Sequence, residues 1–498
     1  MNGHVLERCT GKLSRRNVLS GAAGSLATLA FNSSVAEAGL PLSDLDRAAA
    51  RAAAELATGQ DIRLRLLAPN GSQGNVGPVI DAFTDMTGID VDLVVTAVDD
   101  INTKLMLDEM VGGDGYDLAL PATFGIPELA EAGVLLDLNR FAATYEPSEL
   151  RARSLYAIGD SYNGRLYGFQ ADGDAYVMFY NKPWLDDEDN QKRYADRFGQ
   201  PLAIPETWEE LDRQMAFFHQ PAENRFGGAL FRTPTYIAWE WWIRYHAKGF
   251  WPFDDDMTPL IDGEAGVLAL EQLIAASESL YPNAPHAGLF DNWRAYARGN
   301  IYCNIGWGGT QKHLNGPTSK IRGKLAFGVT PGGTVDGARL ITPYFNWGWN
   351  YVVTSRCTEP EIAYLFALFA SSPEQSTRSV GDRQGYFDPH RSEHYGDDGI
   401  IEAYSKPFLD THEFSLRNAI PDLYLDGHGE YFGALNEGII AAQEGRKDAG
   451  RAMSDIAKRW TIITHRLGRT KQQAQWRTLR SKYPTSIADR LRPPIKAG

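Results

Sequence analysis

The stretch that decides the fold is residues 61–120, which read DIRLRLLAPNGSQGNVGPVIDAFTDMTGIDVDLVVTAVDDINTKLMLDEMVGGDGYDLAL. Period-two alternation or short apolar runs predict strands, and apolar residues spaced three and four apart predict helices. The predicted strands are residues 62–66, 91–95 and 116–120, and the predicted helices are residues 79–86 and 101–110. Strands alternating with helices indicate a mostly parallel sheet with crossover helices.

The loops that follow these strands are the first candidate binding elements. In open α/β sheets, ligands bind beyond the carboxyl ends of the strands. Those ends lead here into residues 70–74, 96–100 and 121–125. Asn70, Thr123 and Phe124 are therefore candidate ligand-binding residues.

Residues 1–38 have the features of an export signal. Lys12 and the pair Arg15 and Arg16 precede an uncharged, mostly small and apolar run, and a small-x-small cleavage site ends at Ala38. The pair resembles a twin-arginine signal, although Val18 stands where that signal prefers Phe. We expect removal of this segment and a periplasmic location, by the twin-arginine route or otherwise by the Sec route.

Charge and length exclude several classes of protein. The whole chain has a net charge of −14, and loss of residues 1–38 removes a net +2, which leaves −16. A chain this acidic is not expected to bind nucleic acid. About 460 residues remain, which suits two α/β lobes better than a single core. Cys303 and Cys357 are too few for a disulfide framework or a cysteine-rich metal site; buried single thiols are expected, and pairing of the two in an oxidising periplasm is the alternative.

Several short motifs occur in an order that resembles one family. They are FTDMTGIDV at residues 83–91, LAEAGVL at 129–135, YNGRLYGF at 162–169, YVMFYNK at 176–182, PETWEEL at 205–211, YCNIGWGG at 302–309, GVTPGG at 328–333 and FNWGWNYVV at 345–353. Together they resemble the extracellular solute-binding proteins of the family that includes maltose-binding protein, over about residues 60–465. In the fifth motif, Thr207 is predicted to cap a helix, with Glu210 as its capping-box partner.

The resemblance implies a two-lobed periplasmic-binding-protein fold of type II-like α/β class, in which each lobe is a mostly parallel sheet flanked by helices and crossover strands join the lobes. The implied divisions are residues 39–60, a linker or extra helix; 60–170 with 345–400, the first lobe; 171–344 with 400–465, the second lobe; and 466–498, a basic extension. It also implies a monomeric receptor that binds a small molecule for an ABC transporter permease and catalyses nothing. No cofactor or metal is expected.

Aromatic and acidic residues suggest the ligand chemistry. Flat aromatic faces next to carboxylate and amide groups suit a sugar, whose ring has an apolar face and a rim of hydroxyls. The resemblance matches Asp174 to an acidic hinge residue that contacts sugar and Trp307 to a stacking tryptophan. The further candidates are Asp172, Trp239, Trp347, Trp349 and Arg391. The loop at residues 121–125 departs from the maltose-type pattern, so maltodextrin specificity is not expected.

Two other functions remain open. A polyamine or other cation could use the same carboxylates beneath an aromatic box. A carbohydrate-active enzyme would need two carboxylates facing each other across a cleft, whereas Asp172 and Asp174 are two residues apart on one strand. The mature chain contains no metalloprotease, Cys-x-x-Cys, phosphate-loop or Gly-x-Ser-x-Gly motif.

The carboxyl-terminal residues are basic, whereas the chain as a whole is acidic. Residues 451–498 contain twelve Lys and Arg against Asp455 and Asp489. We expect a solvated extension that lies on the protein's own acidic surface; docking to an anionic envelope component is the alternative.

Overall fold

The computed structural model describes residues 40–112 and 115–493. The export signal predicted at residues 1–38 lies outside these residues. Residues 39–60, predicted as a linker or an extra helix, contain a helix at Leu45–Leu56 that packs on the first lobe. No helix in the described part of the chain is long and apolar enough to cross a bilayer.

Most strands are short. Their bounds are β1 Arg63–Pro69, β2 Asp90–Thr96, β3 Leu118–Ala119, β4 Ser161–Tyr162, β5 Arg165–Leu166, β6 Gly168–Gln170, β7 Val177–Asn181, β8 Phe226–Ala229, β9 Ile301–Gly306, β10 Leu325–Val329, β11 Gly333–Val335, β12 Ala338–Leu340 and β13 Asn350–Val353. β4 pairs with β5 and β11 with β12 in two small hairpin-like sheets.

Helices account for most of the remaining regular structure. Their bounds are α1 Leu45–Leu56, α2 Gln73–Thr87, α3 Ile101–Val111, α4 Ile126–Glu131, α5 Asn139–Tyr145, α6 Lys182–Asp186, α7 Glu188–Phe198, α8 Trp208–Phe218, α9 Tyr236–His246, α10 Glu264–Ser277, α11 Leu289–Tyr296, α12 Gly308–Leu314, α13 Pro360–Ala370, α14 Pro373–Gly381, α15 Asp398–Tyr404, α16 Lys406–Arg417, α17 His428–Gln443, α18 Ala449–Leu467, α19 Arg469–Arg480 and α20 Thr485–Ala488.

The strands and helices predicted between residues 61 and 120 are confirmed, with one helix starting earlier than expected. α2 begins at Gln73, within the stretch that was predicted to turn. Gly74 is required there because an added Cβ would lie 2.7 Å from the backbone nitrogen of Gly385. A glycine selected by this contact weakens the local helix pattern, which is why the sequence alone indicated a turn. The capping box of Thr207 and Glu210 at the start of α8 is also confirmed.

Two sheets organise the molecule into two lobes. The first has the order β2-β1-β3-β13-β6, and the second has the order β10-β7-β9-β8. We call the parts built on these sheets the first and second lobes. The strands of each sheet lie within the residue ranges predicted for the corresponding lobe, and the exact division of the chain stays a prediction.

Both sheets are mixed, whereas the sequence predicted mostly parallel ones. In the first sheet β1 is parallel to β2 and β3, but β13 runs antiparallel to β3 and β6. In the second sheet only β8 and β9 are parallel, and β7 is antiparallel to both of its neighbours. The antiparallel pairs of the first sheet involve β13, which enters it from the other lobe, and β7 enters the second sheet in the same way.

Three segments of the chain cross between the lobes. Residues 171–176 connect β6 to β7, residues 330–349 connect β10 to β13, and residues 382–405 run from α14, on the first lobe, to α16, on the second. They lie side by side, since Ala175 bridges to Phe345 and the backbone nitrogen of Asp388 donates to Oδ1 of Asp172 at 2.7 Å. The crossing segments therefore meet at one place between the two sheets.

The basic carboxyl-terminal residues are folded, which corrects the prediction of a solvated extension. α19 buries Trp476 and Leu479, and the ring of Trp476 lies 5.8 Å from that of Trp251 in the second lobe. The expected contact with acidic surface is confirmed, because Lys471 lies 2.8 Å from Asp426 and 2.7 Å from Glu131 of the first lobe. α19 has a charged face toward solvent and an apolar face toward the core.

Candidate functional site

The three crossing segments bring their polar and aromatic side chains to one point. Asp174 comes from residues 171–176, Trp347 and Trp349 from residues 330–349, and Tyr386 from residues 382–405. Around them is a cavity of about 20 Å³, which we call the inner cavity, also lined by Trp293 and Trp307 of the second lobe. A cavity of this size has room for about one water molecule.

The rings of the inner cavity belong to one continuous aromatic cluster. The centroid of Trp347 lies 5.3 Å from that of Trp307, 5.4 Å from that of Trp239 and 5.7 Å from that of Trp349. Tyr176 contacts Trp307 from the other side at 4.7 Å. Such edge and tilted arrangements are favourable for aromatic quadrupoles, and they hold each ring face in a fixed orientation.

Trp347 is held in a strained backbone conformation. Its φ is +66°, in the left-handed region that non-glycine residues rarely adopt. Thr123 of the first lobe donates from its backbone nitrogen to the Trp347 carbonyl at 3.1 Å, and the next residue, Gly348, donates to Oδ2 of Asp174 at 3.1 Å. Strain of this kind persists only where surrounding contacts fix it, and it occurs frequently at functional sites.

Three buried carboxylates lie beside the inner cavity. Each accepts a backbone hydrogen bond: Asp172 from Asp388 at 2.7 Å, Asp174 from Gly348, and Asp388 from Gly308 at 2.6 Å. Oδ2 of Asp172 is buried and has no hydrogen-bond partner within the described chain. The carboxylates of Asp172 and Asp174 are thus fixed by amides of other crossing segments, and that of Asp388 by the amide at the start of α12.

Burial raises the pKa of all three carboxyl groups. For Asp172 and Asp174 the neighbouring carboxylates add to the increase, and for Asp388 the pKa rises to about 7. Burial also lowers the pKa of Lys312 to about 8, while Asp388 and Asp172 oppose that change. The Lys312 ammonium donates to the carbonyl oxygens of Asp382 and Phe387. The Lys312 ammonium therefore interacts with Asp388 and Asp172, while the carboxyl group of Asp174, which lines the cavity, favours a proton or a cationic partner.

The three carboxylates are also the group that could hold a metal ion. One oxygen from each lies within 4.8 Å of the others. Each carboxylate already accepts a backbone amide, and Lys312 supplies the nearby positive charge, so the residues are arranged as a hydrogen-bonded hinge rather than as an assembled coordination shell. The absence of a metal or cofactor stays a prediction.

A second and larger cavity lies on the other side of Trp347. This outer chamber has a volume of about 380 Å³. The first lobe contributes Asp99, Phe124 and Glu128 to its lining, and the second lobe and α17 contribute Trp239, His428 and Phe432. The imidazole of His428 is sandwiched between Phe124 and Phe432, with ring centroids 4.5 Å away on each side.

Six of the candidate residues from the sequence line one of these cavities. Asp174, Trp307, Trp347 and Trp349 line the inner cavity, and Phe124, Trp239 and again Trp347 line the outer chamber. Asp172 and Thr123 lie behind the cavity walls, where Thr123 donates its hydroxyl to Asn350 at 2.7 Å. These two residues are placed to position the site rather than to touch a ligand.

Asn70 and Arg391 line neither cavity. Asn70 is exposed and accepts a hydrogen bond from Gln73, at the turn whose Gly71 approaches the ring of Tyr386. Arg391 is buried but pairs with Glu393 at 2.7 Å. A carboxylate two residues away holds the guanidinium, and this local pairing could not be distinguished from ligand binding by sequence alone.

Sequence reasoning missed several lining residues. Trp293 lies on α11, outside every quoted motif, and His428 and Phe432 begin a helix that belongs to none of them. Their apolar spacing predicts a core helix and gives no signal of a cavity. Glu128 follows a candidate loop and could have been found from its position after a strand end.

Comparisons with known proteins agree with this architecture. Residues 79–400 match the family model described as bacterial extracellular solute-binding protein. The chain belongs to the bacterial extracellular solute-binding protein family.

A curated relative of this solute-binding protein is the probable amino-acid ABC transporter periplasmic-binding protein y4oP of Sinorhizobium fredii (strain NBRC 101917 / NGR234). It is 25% identical over 320 residues, which are 63% of this chain and 69% of the relative. A solved ABC transporter solute-binding protein from Agrobacterium radiobacter K84, in complex with ribitol, superposes with a TM-score of 0.67 at 17% identity, covering 80% of this chain and 97% of that one. Maltose-bound MalE3 of T. maritima superposes with a TM-score of 0.66 at 19% identity, covering 81% and 100%. These likenesses show the two-lobed fold.

Proposed function

We propose that this solute-binding protein is the periplasmic receptor of an ABC importer and binds a carbohydrate or polyol between its lobes. In this proposal residues 1–38 direct export and are removed, and the mature chain acts as a monomer that delivers its ligand to a membrane permease. It catalyses no reaction and needs no cofactor.

One observation supports the proposed class of ligand: Asp174 and the rings of Trp307, Trp347 and Trp349 line the same cavity. A carboxylate accepts hydrogen bonds from ring hydroxyls, while an indole covers the apolar ring face. The fold neighbours from Agrobacterium and T. maritima hold ribitol and maltose, which supports the same class here.

Binding requires movement of the lobes. The inner cavity of about 20 Å³ is too small for a sugar ring. The ligand therefore enters an open form, and the lobes close over it by bending of the crossing segments, as hinge proteins do. The closed, ligand-bound receptor differs in shape from the open receptor, and the permease can recognise this difference.

A thermal-shift screen of the mature protein over sugars, polyols, amino acids and polyamines tests the proposal. A ligand that binds only the folded state raises the Tm. Asp174→Ala should weaken sugar binding by about tenfold or more, since a hydrogen bond to a charged acceptor contributes about 1.5–3 kcal/mol. Asp85→Ala, on the exposed face of α2, is the matched control and should bind normally. Full affinity in Asp174→Ala removes that residue from the site, and turnover of a glycoside would replace the receptor with an enzyme.

A cation receptor is the second candidate, and the charge of the cavity wall favours it. The ammonium of Lys312 interacts with Asp388 and Asp172, whereas Asp174 lines the inner cavity beside aromatic faces that suit an organic cation. The curated relative is named for amino acids, which carry an ammonium group. If only polyamines or amino acids raise the Tm, the cation receptor replaces the sugar receptor.

Export can be tested separately from binding. Replacing both Arg15 and Arg16 with Lys should leave the precursor in the cytoplasm if the twin-arginine route is used. Normal export of that variant would assign the chain to the Sec route without changing the proposed ligand.

A further inference from the structure

We infer that the outer chamber is a second subsite for the same ligand, so that the receptor selects a carbohydrate of two or more units over a single ring or polyol. This inference rests on the proposed function. It adds the length of the ligand and the residues that recognise its second unit.

The two cavities differ in size and share a wall. The outer chamber, about 380 Å³, falls in the range of small-molecule sites, whereas the inner cavity is about 20 Å³. The indole of Trp347 lines both of them, and Trp239 packs beside it at 5.4 Å. A ligand that reaches Asp174 in the opened cleft therefore lies next to the outer chamber, because Trp347 and Val98 line both cavities.

One buried polar side chain in this wall makes no hydrogen bond within the described chain. His428 is 4% exposed, and neither of its ring nitrogens makes a hydrogen bond, although Nε2 lies 3.2 Å from Oδ2 of Asp422. Buried polar groups are usually satisfied, so the imidazole of His428 indicates a ligand or solvent partner.

The remaining lining has the chemistry of a sugar subsite. Phe124 and Trp239 present ring faces. Glu128 uses Oε1 to accept from the backbone of Gly429 at 2.8 Å, which leaves Oε2 available to a hydroxyl. Asp99 accepts from the Tyr236 hydroxyl at 3.3 Å through Oδ1 and likewise keeps Oδ2 available. No Lys or Arg lines the chamber, so the acceptors are not consumed by ion pairs.

Both lobes contribute to the outer chamber. Phe124 and Glu128 come from the first lobe, and Trp239 and His428 from the second. The subsite is complete only when the lobes are closed. A second sugar unit would therefore contact both lobes at once and stabilise the closed form, which a single ring near Asp174 does less effectively.

The test compares matched pairs of single sugars and their disaccharides, such as xylose with xylobiose, mannose with mannobiose and glucose with maltose or cellobiose. Affinities are measured by calorimetry on the full mature chain. For the pair that binds, we expect the disaccharide to bind at least tenfold more tightly than its single sugar. Phe124→Leu, which keeps an apolar side chain but removes the flat face, and Glu128→Gln, which keeps the Gly429 contact, should each reduce this preference at least threefold, because the disaccharide should lose more affinity than the single sugar.

Two exposed substitutions are the controls. Glu149→Gln and Phe414→Ala lie outside both cavities and should keep the wild-type preference; circular dichroism and the ligand-free Tm verify folding of every variant. Equal affinity for one and two units, or an unchanged preference in both chamber variants, overturns the second subsite. If a single sugar or polyol binds through Asp174 in that case, the proposed function stands. If no sugar of any length binds, both fail.

Discussion

The inner cavity and the outer chamber share Trp347 but are built in different ways. The inner cavity is centred on crossing segments whose carboxylates are fixed by backbone amides, as Asp174 is by Gly348. The outer chamber is formed by side chains of two lobes that meet face to face, such as Phe124 and His428. The comparison shows that hydrogen bonds fix the polar side chains of the inner cavity, while the space in the outer chamber depends on how the two lobes pack together.

The strongest test of this difference is Trp307→Ala. The family resemblance matched Trp307 to a tryptophan that stacks on the ligand, but its side chain is 3% exposed and Nε1 donates to Asn346 at 3.1 Å. Loss of a buried tryptophan costs about 3–5 kcal/mol, so the free energy of unfolding measured in urea should fall by about that much. The exposed control Phe414→Ala should stay within roughly 0.5 kcal/mol of wild type. A loss below about 1 kcal/mol for Trp307→Ala would show that the inner cavity is not part of the core.

The charge of the inner cavity predicts a pH effect. The pKa of Asp388 is raised to about 7 in the folded protein, against about 3.9 when unfolded, so between these values the folded state retains a proton that the unfolded state has lost. The contribution of Asp388 to stability therefore falls as the pH rises from about 4 to 7. Asp388→Asn still accepts from Gly308 but cannot titrate.

We therefore expect the Tm of Asp388→Asn, relative to wild type, to increase between pH 5 and pH 8, by an amount equivalent to roughly 1–4 kcal/mol. Subtracting the Tm of the wild type at each pH removes the opposite trend in stability that comes from buried histidines such as His390 and His412, whose pKa values are lowered by burial. Asp85→Asn should show a flat difference. A flat difference for Asp388→Asn as well would mean that its carboxyl group is ionised throughout.

The smallest effect is expected at the ion pairs of Lys471, which link the carboxyl-terminal helices to the first lobe. Its partners Glu131 and Asp426 lie 2.7 and 2.8 Å away, and Lys471 is 37% exposed. Partly exposed ion pairs contribute about 0–1 kcal/mol and weaken with salt. Lys471→Ala should lower the Tm slightly at low salt and not measurably at 1 M salt. A large loss that persists in salt would instead make this contact a main support of the closed lobes.

Local patterns predicted the elements and part of the site. The strands and helices between residues 61 and 120 follow from side-chain periodicity, and the capping box of Thr207 follows from spacing alone. Asp174 and Trp307 were brought together by family resemblance, and both line the inner cavity. These features depend on residues close in sequence or on motifs in a recognisable order.

Long-range packing could not be predicted in the same way. Phe124 and His428 are about three hundred residues apart, and nothing in either segment indicates that their rings stack. The mixed sheets depend on which strands arrive from the other lobe. In the carboxyl-terminal helix, the many basic residues concealed an apolar stripe in which Trp476 and Leu479 are three residues apart.

If the lobes close as proposed, the amide-to-carboxylate bonds between the crossing segments also set how far each part of the site travels. Asp174 and Trp347 would then lie at the pivot, whereas Phe124 and His428 would be carried at the ends of lever arms. A given rotation would displace the pivot little and the arms much more. An incoming molecule would therefore meet a nearly finished set of contacts at the pivot before the lobes turn, and the rotation would bring the distant walls together around the part of it that extends outward.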